Sequence, residues 1–386
     1  MKIKNSLSSA FEKYTKLQVI VFILIILISS SIFPQHKKPL SPHRTVEKKR
    51  SGWVAAPYIT YAPETGFVFG AAGIYYFYMD TTITEDTKPS DLNVNFMYST
   101  KKQIHLAVPF FLALDESTYK IIGRLVAEKY PFKFYGIGNS TIENDEEDYT
   151  PITYGIDVSF VRKIFYDYLN AGLHLDFRYD KIIKVEENKS LDMNSIPGAS
   201  GGTVFGLGID IDVDKRDNNF NPFNGGYLDL KATFYNDIWG SDFNFARYFI
   251  DARKYFPLKF GDDTHVFAIQ SVFDVTSGKL PFYSLPTFGG DLSMRGFFLG
   301  RYRDNLSAYL QMDYRFPVWW RIGAILFGST GQVSNGFNHL AIDRFKFAGG
   351  FGLRFNVIPD ERMAARFDLG FSKDGLQFYI TFGEAF

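Results

Sequence analysis

The sequence predicts an all-β protein that folds as a closed, antiparallel transmembrane β-barrel of about sixteen strands. Two observations support this prediction. After Ser51 the polar and apolar residues alternate, and helical periodicity is nearly absent. The chain is also rich in aromatic residues, with 41 Phe and 24 Tyr in 386 residues. Yet no stretch beyond the N-terminal segment is apolar for long enough to cross a membrane as a helix.

Residues 1–34 have the organisation of a secretory signal peptide. Four lysines between residues 2 and 16 precede an apolar run over residues 19–28, and three serines follow it. An uncleaved helical anchor is the alternative, because the residues after the serines can extend the run. Residues 35–51 are rich in Lys, Arg, Pro and Ser, and are predicted to form a basic tail in the periplasm. Contact of this tail with anionic lipid headgroups or an acidic partner is its alternative role.

The alternation is clearest over residues 204–214. Asp210, Asp212 and Asp214 share one face of this segment, while five hydrophobic residues occupy the other. A membrane barrel requires this pattern, because one face of each strand contacts lipid and the other faces the lumen. Soluble sandwiches also alternate, but they rarely carry Phe and Leu at every outward position. The same pattern recurs over residues 169–178, 305–316 and 376–382.

The alternating segments from Trp53 onward number about sixteen, with an uncertainty of about two. The uncertainty comes from segments that start at residues 243, 264 and 321, which alternate weakly. The barrel is predicted to occupy residues 52–386. An even number of strands places both ends in the periplasm and the long connections outside the cell. The 42 acidic and 42 basic residues balance, so bulk charge gives no indication of nucleic-acid binding.

Short motifs follow one another in the second half of the chain. Arg295-Gly296-Phe297 lies in the long connection before the twelfth predicted strand, and five further motifs surround it. The residues that define the first three are Asp214, Arg216, Asp217, Gly225, Asp313, Arg315, Pro317, Ser329 and Gly331, and segments 350–354 and 366–370 supply the other two. Together, from about residue 203 onward, these motifs resemble the Omp85 superfamily of outer-membrane barrels.

The resemblance implies a sixteen-stranded barrel whose sixth external loop folds inward and brings Arg295 to the lumenal wall. A guanidinium there needs carboxylate partners, which the family places on the twelfth and thirteenth strands. Asp313 occupies the first position and Ser329 the second, so the contact is expected to be weaker or differently paired. Gly296 is expected to let the loop approach the wall, where Phe297 can pack. The alternative is that Arg295 is an ordinary exposed loop residue.

Members of this family usually carry periplasmic POTRA domains before the barrel. Segment 35–51 is too short for one such domain, so the resemblance implies a barrel-only member. Its mechanism is expected to depend on weak pairing between the first and last strands. An opened edge exposes backbone groups that can template an incoming strand. Pro57 lacks a backbone donor and Phe386 ends the last predicted strand, so both residues are predicted at this seam.

The resemblance implies a protein of the Gram-negative outer membrane. No histidine pair has zinc-ligand spacing and no serine has an obvious catalytic partner in the sequence, so no enzymatic centre, cofactor or metal is expected. The expected function of the protein is to assist the insertion or assembly of outer-membrane proteins or lipids within a larger complex. The expected partners are outer-membrane lipids, client outer-membrane proteins, and a periplasmic subunit or a POTRA-bearing assembly factor, but no nucleic acid. One alternative is a passive or substrate-specific pore. The other is a structural scaffold for a periplasmic or surface partner.

Overall fold

The computed structural model describes residues 50–79, 89–142, 145–166, 168–261, 263–359 and 362–386. The predicted signal peptide and nearly all of the predicted basic tail lie outside these residues, so both stay predictions. Within the described ranges, no helix is both long enough and apolar enough to cross a membrane.

Most of the described chain is β-strand. The strands are β1 (Ser51–Ala62), β2 (Gly66–Phe77), β3 (Ser90–Ser99), β4 (Ile104–Leu114), β5 (Tyr119–Lys129), β6 (Phe132–Phe134), β7 (Glu147–Lys163), β8 (Leu169–Val185), β9 (Gly201–Asp214), β10 (Gly225–Tyr235), β11 (Phe245–Phe260), β12 (Asp263–Gly278), β13 (Thr287–Phe288), β14 (Tyr302–Arg303), β15 (Leu306–Trp319), β16 (Ile322–Ser334), β17 (Lys346–Ile358), β18 (Met363–Ser372) and β19 (Gly375–Phe382). The short strands β13 and β14 form a separate two-stranded sheet.

The other seventeen strands form one antiparallel sheet that closes on itself through β1 and β19. Strands β5 and β6 both pair with β7, and only Tyr130 and Pro131 separate them. They therefore occupy one position in the ring, which leaves sixteen strand positions, with β15 as the twelfth and β16 as the thirteenth. The predicted closed, sixteen-stranded antiparallel barrel is confirmed.

The barrel carries its apolar side chains on the outside and its polar side chains on the inside. On β8, Leu173 is 66% exposed while the next residue, His174, is 5% exposed. On β9, Ile209 is 51% exposed and Asp210 is 6% exposed. A water-soluble sandwich would bury the apolar face, so this inverted arrangement is that of a barrel surrounded by lipid.

The three weakly alternating segments are also strands of the ring, namely β11, β12 and β16. On β12, Val266 and Ala268 face inward although they are apolar. Both residues pack against Phe386 and Tyr255 in a buried cluster. The inward face of β12 at this level therefore lies in a hydrophobic cluster. This packing removes the polar face on which the alternation depends.

Candidate functional site

Arg295 lies in the long connection between β12 and β15, and only 1% of its surface is exposed. Its Nη2 donates a hydrogen bond to Oδ1 of Asp313 at 2.5 Å, and its Nη1 donates to Oδ2 of Asp368 at 2.7 Å. The guanidinium also lies 3.8 Å from the ring centre of Phe327. Arg295 thus contacts side chains of β15, β16 and β18, and it is not an exposed loop arginine.

A network of balanced charge surrounds Arg295. Asp368 also accepts a hydrogen bond from Arg354 at 2.6 Å and lies 3.6 Å from Arg366. The ion pairs of the network connect four arginines with four carboxylates: Arg295, Arg315, Arg354 and Arg366 with Asp291, Asp313, Asp368 and Glu384. Buried charges persist only when they are paired in this way. Because three of the arginines meet at Asp368, this residue is the centre of the network.

The sequence-based assignment of Ser329 as a partner of Arg295 is wrong. The Ser329 hydroxyl contacts the carbonyl oxygen of Ala348 at 3.5 Å. The second carboxylate on Arg295 comes from Asp368 on β18, two strands further around the ring. The negative charge missing at Ser329 is therefore supplied from another strand, and the pairing differs from the family pattern instead of being lost.

Gly296 brings the backbone of the connection directly against β18 and β19. Its N–H donates to the hydroxyl of Tyr379 at 3.1 Å, and its carbonyl oxygen accepts a hydrogen bond from the Ser372 hydroxyl at 2.7 Å. The residue has a φ of +116°, and a Cβ placed there would lie 3.1 Å from backbone atoms of Phe371. Both the conformation and the close approach therefore require glycine.

Phe297 anchors the connection by packing. Its ring is fully buried, and its centre lies 5.8 Å from the ring centres of Phe288 and Tyr302. Met294 belongs to the same buried cluster. Gly331 on β16 makes room for it, because a Cβ at this position would lie 2.6 Å from the Met294 sulfur.

A second contact holds the connection to the first hairpin of the barrel. Oε1 of Glu64, in the turn between β1 and β2, accepts a hydrogen bond from the Leu299 N–H at 2.6 Å. Burial raises the pKa of Glu64 to about 7, although the Leu299 hydrogen bond and Lys101 lower it. The nearby carboxylate of Asp291 raises the pKa further.

The seam between β1 and β19 is held by few strand-pairing contacts. Strand β1 pairs with β2 along all twelve of its residues, whereas Tyr61–Ile380 is the single register pair with β19 among the described residues. The Tyr61 ring also stacks on Phe378 with ring centres 3.9 Å apart. The connection described above contacts both sides of this seam, through Glu64 next to β1 and Tyr379 on β19.

The two residues predicted at the seam have different positions. Pro57 lies on β1, opposite Ala71 of β2. Phe386 does not lie at the seam, so that prediction is wrong. Strand β19 ends at Phe382, Gly383 adopts a φ of +77°, and the following residues turn away from the strand. Phe386 is buried at 4% exposure, and its carbonyl oxygen accepts a hydrogen bond from Nη2 of Arg315 at 2.9 Å.

The turn between β9 and β10 carries the first motif. Asp214 accepts two hydrogen bonds from the Arg216 guanidinium, both at 2.9 Å. Asp217 accepts one from Arg362 at 2.7 Å, which joins this turn to the one between β17 and β18. Gly225 has a φ of +101°, and a Cβ there would lie 1.9 Å from a carbonyl oxygen of the turn. The motif therefore shapes a connection and does not contact Arg295.

Arg315 and Pro317 follow Asp313 on β15. Nη2 of Arg315 lies 3.3 Å from Oδ2 of Asp313, so Arg315 belongs to the arginine–carboxylate network. Pro317 pairs with Gly323 of β16, and a register shift separates it from Trp319. Pro317 thus marks the irregular end of the strand, where a missing N–H is tolerated.

Three solved structures have a similar fold. BamA from Haemophilus ducreyi lacking POTRA domains 1–3 has a TM-score of 0.60 at 15% identity, with 87% of this chain and 70% of that chain covered. CdiB from Acinetobacter baumannii has a TM-score of 0.58 at 12% identity, with 87% and 60% covered. CdiB from Escherichia coli has a TM-score of 0.57 at 10% identity, with 88% and 63% covered. The chain thus spans less than two thirds of either CdiB chain.

Among curated protein sequences, none matches this chain. The family model of the Omp85 superfamily domain matches residues 78–386, which include Arg295 and every motif that carries the resemblance. The apolar exterior and the closed ring agree with this match. The chain therefore belongs to the Omp85 superfamily and is a barrel of the Gram-negative outer membrane.

Proposed function

We propose that this barrel assists the insertion or assembly of outer-membrane proteins or lipids by opening the seam between β1 and β19. The observation that carries the proposal is the imbalance in pairing on the two sides of β1. Twelve register pairs hold it to β2, and one pair, Tyr61–Ile380, holds it to β19. The seam is thus the part of the ring that separates at the lowest cost.

An open seam gives the barrel a means to act on a client. Unpaired backbone N–H and C=O groups in lipid are costly, so an exposed β1 edge favours pairing with an incoming strand. Strand addition of this kind obtains its affinity from main-chain hydrogen bonds and tolerates varied side chains. Clients on this proposal are outer-membrane proteins, and a periplasmic subunit or a POTRA-bearing assembly factor delivers them.

The connection that carries Arg295 sets the resting state in this proposal. It bonds to Glu64 beside β1 and to Tyr379 on β19, so it bridges the seam in addition to the Tyr61–Ile380 pair. Opening the seam must break one of these bonds. The arginine–carboxylate network keeps the connection in place while the barrel is closed.

We propose a structural role for the arrangement that most resembles a hydrolase site. Oγ of Ser159 lies 3.1 Å from Nδ1 of His174, whose Nε2 lies 3.9 Å from Asp157. However, the Ser159 hydroxyl donates a hydrogen bond to Asp210, and Ser159 is only 4% exposed. A serine nucleophile must pass its proton to the imidazole and must reach its substrate, so these residues support a structural network and no enzymatic activity.

A pore is the second candidate function, and a lumenal cavity of about 270 Å³ favours it. Its walls carry charges of both signs, including Arg124, Asp157, Asp176 and Arg247. A conducting pore predicts ion currents across planar bilayers that increase when Arg295 is replaced and the connection is loosened.

A reversible cross-link tests the seam directly. The chain has no native cysteine, and residues paired across antiparallel strands lie within disulfide range. A Tyr61→Cys/Ile380→Cys variant is expected to lose assisted insertion of a small model barrel into liposomes when oxidised, and to regain it on reduction. Ile59→Cys/Phe69→Cys is the matched control, because it joins β1 to β2 and leaves the seam free.

Full activity of the oxidised seam variant would contradict the proposal. If the uncross-linked protein gives no assisted insertion but carries ion currents, a pore is the better-supported function. Equal loss of activity in the control and the seam variant would mean that oxidation, rather than closure of the seam, is responsible.

A further inference from the structure

A cavity of about 380 Å³ lies between the wall formed by β5 and β7 and the connection that carries Arg295. Aromatic side chains make up much of its lining, including Tyr130, Phe132, Tyr149 and Tyr283, and Met97 adds an apolar surface from β3. Cavities of this size with a mainly apolar lining and a few polar groups are typical of small-ligand sites.

Arg303 lines this cavity and is only 5% exposed. Its Nη1 donates to the carbonyl oxygen of Phe282 at 3.4 Å, and its Nη2 donates to that of Gly300 at 3.2 Å. Its Nε has no hydrogen-bond partner, and no ion pair joins it to a carboxylate within the described part of the chain. The rings of Phe134 and Phe282 give it partial compensation from 5.3 and 5.9 Å.

The other charged side chains that line the cavity have counter-charges. Arg178 donates two hydrogen bonds to Asp180, at 2.5 and 2.8 Å. Glu128 lies 2.7 Å from Nδ1 of His105, which forms an ion pair with it when the imidazole is protonated. Arg303 is thus the one charged group of this lining that lacks an ion-pair partner among the described residues. A buried guanidinium has a high demand for an anion, because its alternative is an unpaired charge.

We propose that this cavity binds a small amphipathic anion, a carboxylate or phosphate monoester attached to an apolar group. The anionic oxygens bind Arg303, and the apolar part packs among Tyr130, Phe132 and Tyr149. Aromatic walls favour a flat or flexible hydrocarbon group, and the guanidinium fork favours an anion with two accepting oxygens. The proposed ligand does not depend on the proposed function, although Leu299, whose N–H bonds to Glu64 beside the seam, also lines the cavity.

Phenyl phosphate is a suitable soluble probe, titrated calorimetrically into the whole barrel in a non-ionic detergent. We expect Arg303→Gln to weaken binding by about tenfold or more, since it removes a charged hydrogen-bond donor. Arg344→Gln is the matched control, because Arg344 is exposed outside the strands and its substitution removes the same charge. Equal affinity in the wild type and Arg303→Gln, or no binding to the wild type at millimolar probe, would overturn the proposal.

A second variant keeps the test decisive if Arg303→Gln does not fold. Met97→Trp fills the cavity and leaves the guanidinium in place, so it is expected to abolish binding; unchanged binding would contradict the cavity as the site.

Nanodiscs then identify the source of the anion. If phosphatidic acid, whose headgroup is a phosphate monoester, competes with phenyl phosphate in the wild type, the natural ligand is a lipid phosphate. If it does not compete, the natural ligand is a free anion.

Discussion

Nη1 of Arg295 donates a hydrogen bond to Oδ2 of Asp368 at 2.7 Å, and both side chains are buried. The bond joins the connection between β12 and β15 to β18, so it fixes the connection against a distant part of the ring. Asp368 accepts from Arg354 as well, so its loss affects more than one arginine.

Replacing Asp368 by Asn is expected to destabilise the barrel by about 3–5 kcal/mol, because four buried arginines would then share three carboxylates. The measurement is the urea midpoint of the heat-modifiable gel band in detergent. Ser329→Ala is the control, and a change below about 0.5 kcal/mol is expected there because Ser329 lies outside the network. If the two variants were equally stable, Asp368 would not be the centre of the network.

Gly296→Ala is expected to loosen the connection without unfolding the ring. The substitution combines an unfavourable φ with a 3.1 Å approach to the backbone of Phe371, which together cost about 1–3 kcal/mol. Limited proteolysis near Arg295 should become faster. Gly240→Ala is the control for the unfavourable φ alone, because Gly240 has a φ of +98° but nothing within 4 Å of the added Cβ. Similar proteolysis of both variants would show that strain, and not the contact with β18, controls the connection.

The architecture of the ring was predictable because lipid on one side of each strand imposes a period of two on the sequence. The weak signal of β12 has a physical cause: Val266 and Ala268 face inward but pack against Phe386 and Tyr255. Polar and apolar residues alternate along a strand only where its two faces have surroundings of different polarity. The alternation is therefore lost wherever inward-facing residues pack against other apolar side chains. Only the structure shows where that packing occurs.

The partners of Arg295 were only partly predictable. Asp313 followed from a family position, and the motif over residues 366–370 was visible together with its polar face. The contact between Arg295 and Asp368 depends on how far the connection reaches across the ring, which no local pattern encodes. The same holds for Phe386, whose position depends on a left-handed turn at Gly383.

The burial of Glu64 is expected to make stability depend on pH. The pKa of Glu64 rises from an ordinary 4.5 to about 7 in the folded barrel, so the folded state binds the proton more tightly than the unfolded chain. The resulting stabilisation is fully present below pH 4.5 and is lost as the pH rises through 7, by about 3 kcal/mol in total.

Urea unfolding from pH 5 to pH 8 measures this dependence. Glu64→Gln has no charge at any pH, so it is expected to flatten the profile and to be more stable than the wild type at pH 8. Glu187→Gln is the control, because Glu187 is exposed after β8 and should leave the profile unchanged. A wild-type profile that stays steep after Glu64→Gln would assign the pH dependence to another group.

The burial of Phe386 gives the final prediction. Its ring packs with Tyr255, Val266 and Ala268, so Phe386→Ala is expected to cost about 3–5 kcal/mol through a cavity in the lumen. Phe337→Ala is the matched control, because Phe337 is 49% exposed and lies outside the strands. Cross-linking of Tyr61→Cys/Ile380→Cys should proceed equally well with Phe386→Ala, since the buried cluster that contains Phe386 includes neither residue of the seam pair. If Phe386→Ala instead altered the cross-linking rate and left stability unchanged, Phe386 would act at the seam rather than in the lumen.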